Sequence, residues 1–175
     1  MPIDNKIKFV PINIALITIS DTRIEEEDKS GKILEKRIID LGHNIFNKII
    51  IKDDISLIQK TILKFSNENL VDAIITTGGT GFTGRDSTPE ALQKIADKTI
   101  EGFGELFRQI SFKTIGTSTI QSRAMAIIVK GTYVFSLPGS PNACIDGWDQ
   151  ILKYQLDIRH KPCNFVEIMD RLNEN

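Results

Sequence analysis

A chain of 175 residues has room for one sizeable hydrophobic core, and a formal net charge of -1 gives it no bulk attraction to nucleic acid or an anionic membrane. Hydrophobic residues at 41% and charged residues at 26% exclude a disordered chain. Two cysteines, Cys144 and Cys163, are too few for a disulfide framework or a four-ligand zinc site.

The N-terminal stretch, Met1 to Val10, carries Asp4, Asn5, Lys6 and Lys8 and resembles neither a signal peptide nor a lipidation site. No apolar stretch approaches the roughly 18 residues of a membrane span, so a cytoplasmic protein is expected. Ile12 to Ser20 is nearly continuous in apolar and β-branched residues, the pattern of a strand buried on both faces. After an acidic loop, Glu25 to Asp28, Ser30 is expected to cap a helix with Ile33, Leu34, Ile38 and Leu41 inside and Gly42 as its stop. Asn44 to Ile51 reads as a second strand. Ile55, Ile58, Ile62 and Phe65 then recur at helical spacing, and Val71 to Thr77 is a third strand. Helices are predicted over Ser87 to Thr99 and Gly102 to Lys113. Lys130-Gly131 joins Met125–Val129 to Thr132–Leu137 as a hairpin at the sheet edge. The last helix starts near Pro141, with Cys144, Trp148, Ile151 and Leu152 as its buried stripe. Strands alternating with helices through short links imply right-handed βαβ units. The prediction is α/β: a three-layer αβα sandwich with a mostly parallel sheet and an antiparallel edge hairpin, one domain over 1–175 with its core at about 11–165.

Ligands of open parallel sheets sit beyond the carboxyl ends of the strands. Three strands here end in segments suited to anions: Thr18 to Thr22, Thr76 to Gly81, and Leu137 to Asn142. Glycines let backbone N–H groups approach a phosphate, and a following helix N-terminus adds partial positive charge. Gly79, Gly81 and Gly84 match G-x-G-x-x-G, but Arg85 to Thr88 intervene before a helix can open, so the dinucleotide reading fails on loop length. Ser87 and Glu90 read as a capping box. For Asp86, between that loop and the helix, two readings are open: a turn or cap, or a Mg²⁺ ligand. Asp54 is the better N-cap of the second helix, which frees Asp53 to face the same place. Arg85 and Arg123 are the cations available to offset a polyanion; His43 and His160 lack ligand-like spacing.

The ordered set Thr76-Thr-Gly-Gly-Thr-Gly81, Asp86-Ser-Thr-Pro-Glu90, Gly102-Phe-Gly-Glu-Leu-Phe-Arg108, Ser122-Arg-Ala124 and Leu137-Pro-Gly-Ser140 resembles the MoaB/MogA family of molybdenum-cofactor biosynthesis proteins. Gly116 to Ala124 and Arg159 to Phe165 look like its MoaB branch. The resemblance runs from about Pro11 to Phe165. It implies a homotrimer or hexamer that adenylylates molybdopterin with Mg²⁺ and ATP, releases pyrophosphate, and hands its product to a separate molybdate-inserting enzyme. By position it assigns Asp53 and Asp86 to catalysis and metal, and Ser20, Asp21, Gly78, Gly79, Thr80, Gly81, Gly139 and Ser140 to the nucleotide. Thr117, Ser118, Ser122 and Arg123 fall to the substrate. No nucleophilic side chain is needed for that chemistry, and no Ser-His-Asp or Cys-His set stands out. Two alternatives are a pterin- or nucleotide-binding protein without chemistry and a nucleotide pyrophosphatase-like relative.

Overall fold

In the computed structural model, which describes residues 3–174, the first strand, β1 (Asn13–Ile19), is buried at every position after Asn13. β2 (Asn44–Ile51) and β3 (Ala73–Thr77) flank it in parallel. β6 (Thr132–Leu137) runs parallel to β3 on its far side, β5 (Met125–Val129) antiparallel to β6, and β4 (Lys98–Thr99) antiparallel to β5. The order is β2-β1-β3-β6-β5-β4. As expected, the sheet is mostly parallel and the β5–β6 hairpin carries its antiparallel edge, to which the two-residue β4 adds an outermost strand.

β1 passes to β2 on one side, and the chain then returns to place β3 on the other. That reversal opens a crevice between the carboxyl ends of β1 and β3. Register extends it by one strand: Thr18 pairs with Thr77 and Thr77 with Leu137, so three loops leave the sheet at one level.

The continuous apolar runs divide by alternation once they are pleated. Ile14, Leu16, Ile75 and Phe135 face α1 (Lys29–Leu41), α4 (Glu101–Ile115) and α5 (Pro141–Gly147), in a cluster with Leu34, Phe107 and Trp148. Ile17, Ile74 and Val134 face α2 (Ile55–Ser66) and α3 (Thr88–Gln93), against Ile58, Ile62 and Leu92. A π-helical turn at Trp148–Leu152 continues α5.

Three local expectations need correction. The N-cap of α1 is Asp28, whose carboxylate accepts the Gly31 N–H at 2.9 Å; the Ser30 hydroxyl instead donates to the Gly139 carbonyl at 2.9 Å. α3 is six residues long, because Asp97 N–H bonds to the Ile128 carbonyl and Lys98–Thr99 pair with β5. Once those groups join the sheet, continued helix would leave them without partners. Ser87 and Glu90 form no capping box: Ser87 makes no side-chain cap bond and donates instead to Asp53, and Glu90 pairs with Arg123.

His43 lies 4% exposed between Phe9 and Trp148, its Nδ1 accepting the Ile12 N–H and its Nε2 without a partner among the described residues. Burial pushes its pKa down from 6.5 to about 4, against a weaker opposing pull from Asp157. Because the folded pKa lies below the unfolded one, the unfolded state takes up the proton first. Stability is therefore complete above pH 6.5 and falls as pH drops towards 4, by up to roughly 3 kcal/mol at 1.36 kcal/mol per pKa unit. Urea unfolding at pH 7.5 and 4.5 is expected to show that loss in the wild type, and a flatter profile in His43→Gln.

Candidate active site

The three loops at the carboxyl edge enclose a cleft of about 630 Å³ lined by Ser20 to Arg23, Gly78 to Gly81 and Pro138 to Pro141, together with Asp53 and Asp86. Each loop is braced by its own polar groups. After β1, the Ser20 hydroxyl accepts the N–H groups of Thr22 and Arg23 at 3.3 and 3.2 Å, turning the chain across the crevice. After β6, Ser140 caps α5 by accepting the Ala143 N–H at 3.2 Å. After β3, Gly78 and Gly79 have φ of 107° and 64°. Without side chains they let the loop pass beneath the Thr88 hydroxyl, which donates to the Gly78 carbonyl at 3.1 Å.

The two sequence-predicted aspartates line this one cleft from different elements. Asp53 follows β2 and, as expected, leaves the capping of α2 to Asp54, which accepts the Leu57 N–H at 2.8 Å. Its carboxylate accepts the Ser87 hydroxyl at 2.6 Å and the Ser87 N–H at 3.1 Å. A Cβ at Gly79 would meet its Oδ2 at 2.5 Å, which shows how closely the carboxylate passes the glycine loop. Burial pushes the Asp53 pKa up; the Ser87 bonds oppose this, and the negative charges of Asp86 and Asp21 add to it. Asp86 is held well down, chiefly by the Thr83 hydroxyl at 2.5 Å, with further help from the Thr83 N–H at 2.8 Å. Two neighbouring carboxylates thus titrate in opposite directions, a pattern that accompanies functional sites.

Among the described residues, no group of three or more His, Cys, Asp and Glu side chains could by itself hold a metal ion. The donor set does fit Mg²⁺ arriving with a nucleotide. Such an ion keeps several waters and needs one or two carboxylates plus phosphate oxygens. The mutual repulsion of Asp21, Asp53 and Asp86 is what a divalent cation would relieve.

Arg123 lies elsewhere. Its guanidinium donates to the Thr80 carbonyl at 3.3 Å and the Asp86 carbonyl at 3.0 Å, pairs with Glu90, and stacks on the Phe82 ring 5.4 Å away. It staples the glycine loop from behind, with its donors used on protein groups. Of the other substrate candidates, Ser118 and Ser122 line a second cavity beside the cleft, and Thr117 is exposed on the 3-10 turn Gly116–Gln121 and lines neither. Arg23, which the sequence reading passed over, also enters the cleft. Its Nη2 donates to the Gly139 carbonyl at 2.6 Å, while Nη1 is buried without a partner among the described residues. Its position two residues after Asp21, on an already suspected loop, was the available signal. Arg85 lines the cleft as well.

A family model described as a probable molybdopterin-binding domain matches residues 15–158. The chain is 43% identical over 158 residues to molybdenum cofactor biosynthesis protein B of Escherichia coli, covering 90% of this chain and 93% of that one. Identity to the protein of that name from Bacillus cereus is 45% over 133 residues, 75% of this chain and 79% of the relative. Among solved structures, a molybdenum cofactor biosynthesis protein B superposes with a TM-score of 0.85 at 38% identity, over 95% of this chain and 98% of the other. The tungsten cofactor synthesizing protein MoaB from Pyrococcus furiosus follows at 0.78 and 32%, over 94% and 98%.

Proposed function

Since the chain belongs to the molybdopterin-binding family of molybdenum cofactor biosynthesis proteins, we propose that it is the molybdopterin adenylyltransferase of that pathway. The observation that carries the reading is the convergence of three anion-suited loops and two carboxylates, Asp53 and Asp86, on one cleft at the β1/β3 crevice. An oxygen of the molybdopterin phosphate attacks the α-phosphorus of ATP. The new P–O bond forms as the bond to the β-phosphate oxygen breaks, giving adenylylated molybdopterin and pyrophosphate.

Such a displacement asks the protein chiefly to align two anions and offset their repulsion. Gly78 to Gly81, Ser20, Asp21, Gly139 and Ser140 supply backbone and hydroxyl groups for the nucleotide, and Arg23 and Arg85 the positive charge. Asp53 and Asp86 would hold Mg²⁺, which when bound screens the phosphate oxygens and helps pyrophosphate leave. Thr83 and Ser87 keep those carboxylates in place. Molybdopterin-dependent pyrophosphate release from Mg-ATP tests the reading; a folded protein that binds ATP without turnover overturns it. That outcome would favour a carrier without chemistry.

The protein is read as cytoplasmic, serving a downstream molybdate-inserting enzyme; no helix of the described residues is long and apolar enough to cross a membrane. Assembly as a homotrimer or hexamer fits the outer side of α4. Phe103, Phe107 and Ile110 of that helix are core, whereas Leu106 and Phe112 are 41% and 57% exposed and the adjacent Ile120 77%. Light scattering at micromolar concentration is expected to give at least three times the 19.6 kDa chain mass, and Ile120→Glu to lower it. A monomeric wild type would end the assembly reading.

A further inference from the structure

Between β3 and α3 the chain runs without regular structure, and this stretch carries both the glycine loop and Asp86. Such a segment keeps one shape only where its backbone groups are tied to something rigid. At its foot, Thr88 holds the carbonyls of Gly78 and Gly79 and Ser87 reaches Asp53. Higher up, Asp86 closes a turn on Thr83, a bond within the segment that cannot place it against the sheet. Arg123, just before β5, supplies that placement. Its Nε donates to the Thr80 carbonyl at 3.3 Å and its Nη2 to the Asp86 carbonyl at 3.0 Å, so one rigid group holds both ends of the five residues between. Nη1 pairs with Glu90 of α3. Arg123 stands on a fixed base in turn: Arg108 of α4 donates to the Ala124 carbonyl at 3.3 Å, and a Cβ at Gly104 would meet that oxygen at 2.5 Å.

We propose that Arg123 is a positioning residue for adenylyl transfer, setting where the Asp86 carboxylate stands in the cleft by holding the main-chain carbonyls of Thr80 and Asp86. The inference rests on reading Asp86 as a working group of that cleft. Arg123 does not itself face the nucleotide. With Glu90 it lines a cavity of about 610 Å³ behind the loop, while Asp86 lines the cleft in front. The pairing with Glu90 offsets its charge, which leaves geometry as its contribution. Three different nitrogens reach three acceptors, a demand that the planar guanidinium meets and a lysine ammonium does not.

Arg123→Ala is expected to lower kcat for molybdopterin-dependent pyrophosphate release about 30-fold, with KM for Mg-ATP within about threefold, because a group is displaced and no substrate contact is lost. Arg123→Lys, which keeps the charge, is expected to remain about 10-fold below wild type. Since Arg123 is reached from the rear cavity, millimolar guanidinium ion is expected to raise the turnover of Arg123→Ala at least fivefold, and ethylammonium ion to leave it unchanged. Guanidinium weakens folds in general, so such a gain cannot come from overall stabilisation. The Thr83 amide resonance reads the same positioning without turnover, because that N–H donates to the Asp86 carboxylate at 2.8 Å; it is expected to shift in Arg123→Ala and return with guanidinium. The proposal is overturned by a lysine variant with full turnover, by a loss confined to KM, or by an alanine variant that guanidinium does not repair. A wild type that releases no pyrophosphate, with a Thr83 resonance that answers to Arg123→Ala and to guanidinium, would uphold the hold on Asp86 and end the adenylyltransferase reading alone. Wild-type turnover that Arg123→Ala leaves undiminished, with an unmoved Thr83 resonance, would do the reverse.

Discussion

Replacing Asp86 with alanine is expected to lower molybdopterin-dependent pyrophosphate release by about 100-fold or more, the usual scale for removing one preorganised electrostatic group from a site where charge develops. The difficulty is that this carboxylate has two jobs. It accepts the Thr83 N–H and hydroxyl, closing the turn that follows the glycine loop, and it lines the cleft opposite Asp53. Alanine removes both contributions, so the loss alone does not separate catalysis from loop geometry. Asp86→Asn separates them. Its carbonyl oxygen can still accept from Thr83, preserving the turn, while the negative charge is gone. If the charge is what the reaction needs, the asparagine variant is as impaired as the alanine variant and its thermal unfolding matches wild type. An asparagine variant with near-normal turnover would make Asp86 a turn residue and remove it from the metal site. The same pair of variants, measured at saturating ATP, places the defect: loss confined to kcat marks a group acting in the transition state, whereas a raised KM with unchanged kcat marks binding.

Legibility in the sequence followed how local each determinant is. β2 was read to the residue because Gly42 stops the preceding helix and Asp54 caps the next, both within the chain's own neighbourhood. The cleft was legible because all three of its loops follow apolar strands and the crevice rule places such loops on one edge. What was missed depends on distant partners. Ser87 and Glu90 have the spacing of a capping box, yet Asp53 and Arg123, 34 and 33 positions away, offer charged partners that outcompete a neutral N-cap bond. Arg123 sat in a polar loop and looked free for substrate; its partners, the carbonyls of Thr80 and Asp86, come near only when β5 lies two strands from β3. α3 ended early because its next residues found a strand to join, a pairing with no local sign in Ala96-Asp97-Lys98. In each case a local pattern was satisfied on paper and overruled by a long-range partner with stronger chemistry.

The largest structural effect is expected from Gly78→Ala, a change of one methyl group at the base of the cleft. Gly78 has φ of 107°, a conformation that residues with a Cβ rarely adopt, and its N–H is committed to the Leu137 carbonyl at 3.1 Å. A Cβ built there collides with the Ile19 carbonyl oxygen, which belongs to the backbone of β1 and has no rotamer by which to withdraw. The Thr88 hydroxyl holds the Gly78 carbonyl from the other side, so rotation of the peptide to relieve the clash would break that bond as well. Strain at a positive φ costs about 1–3 kcal/mol and overpacking of a fixed site a similar amount, giving roughly 3–5 kcal/mol together. For a chain of this length that corresponds to a fall in Tm of about 10 °C. Gly84, exposed and with no heavy atom within 4 Å of its built Cβ, is the internal control: Gly84→Ala is expected to leave Tm within about 2 °C of wild type. The two variants add the same atom to the same loop, and only one adds it where β1, β3 and β6 converge. Equal melting temperatures for both would mean that the loop can shift away from Ile19, and that the close approach of the strand ends is not what fixes the shape of the cleft.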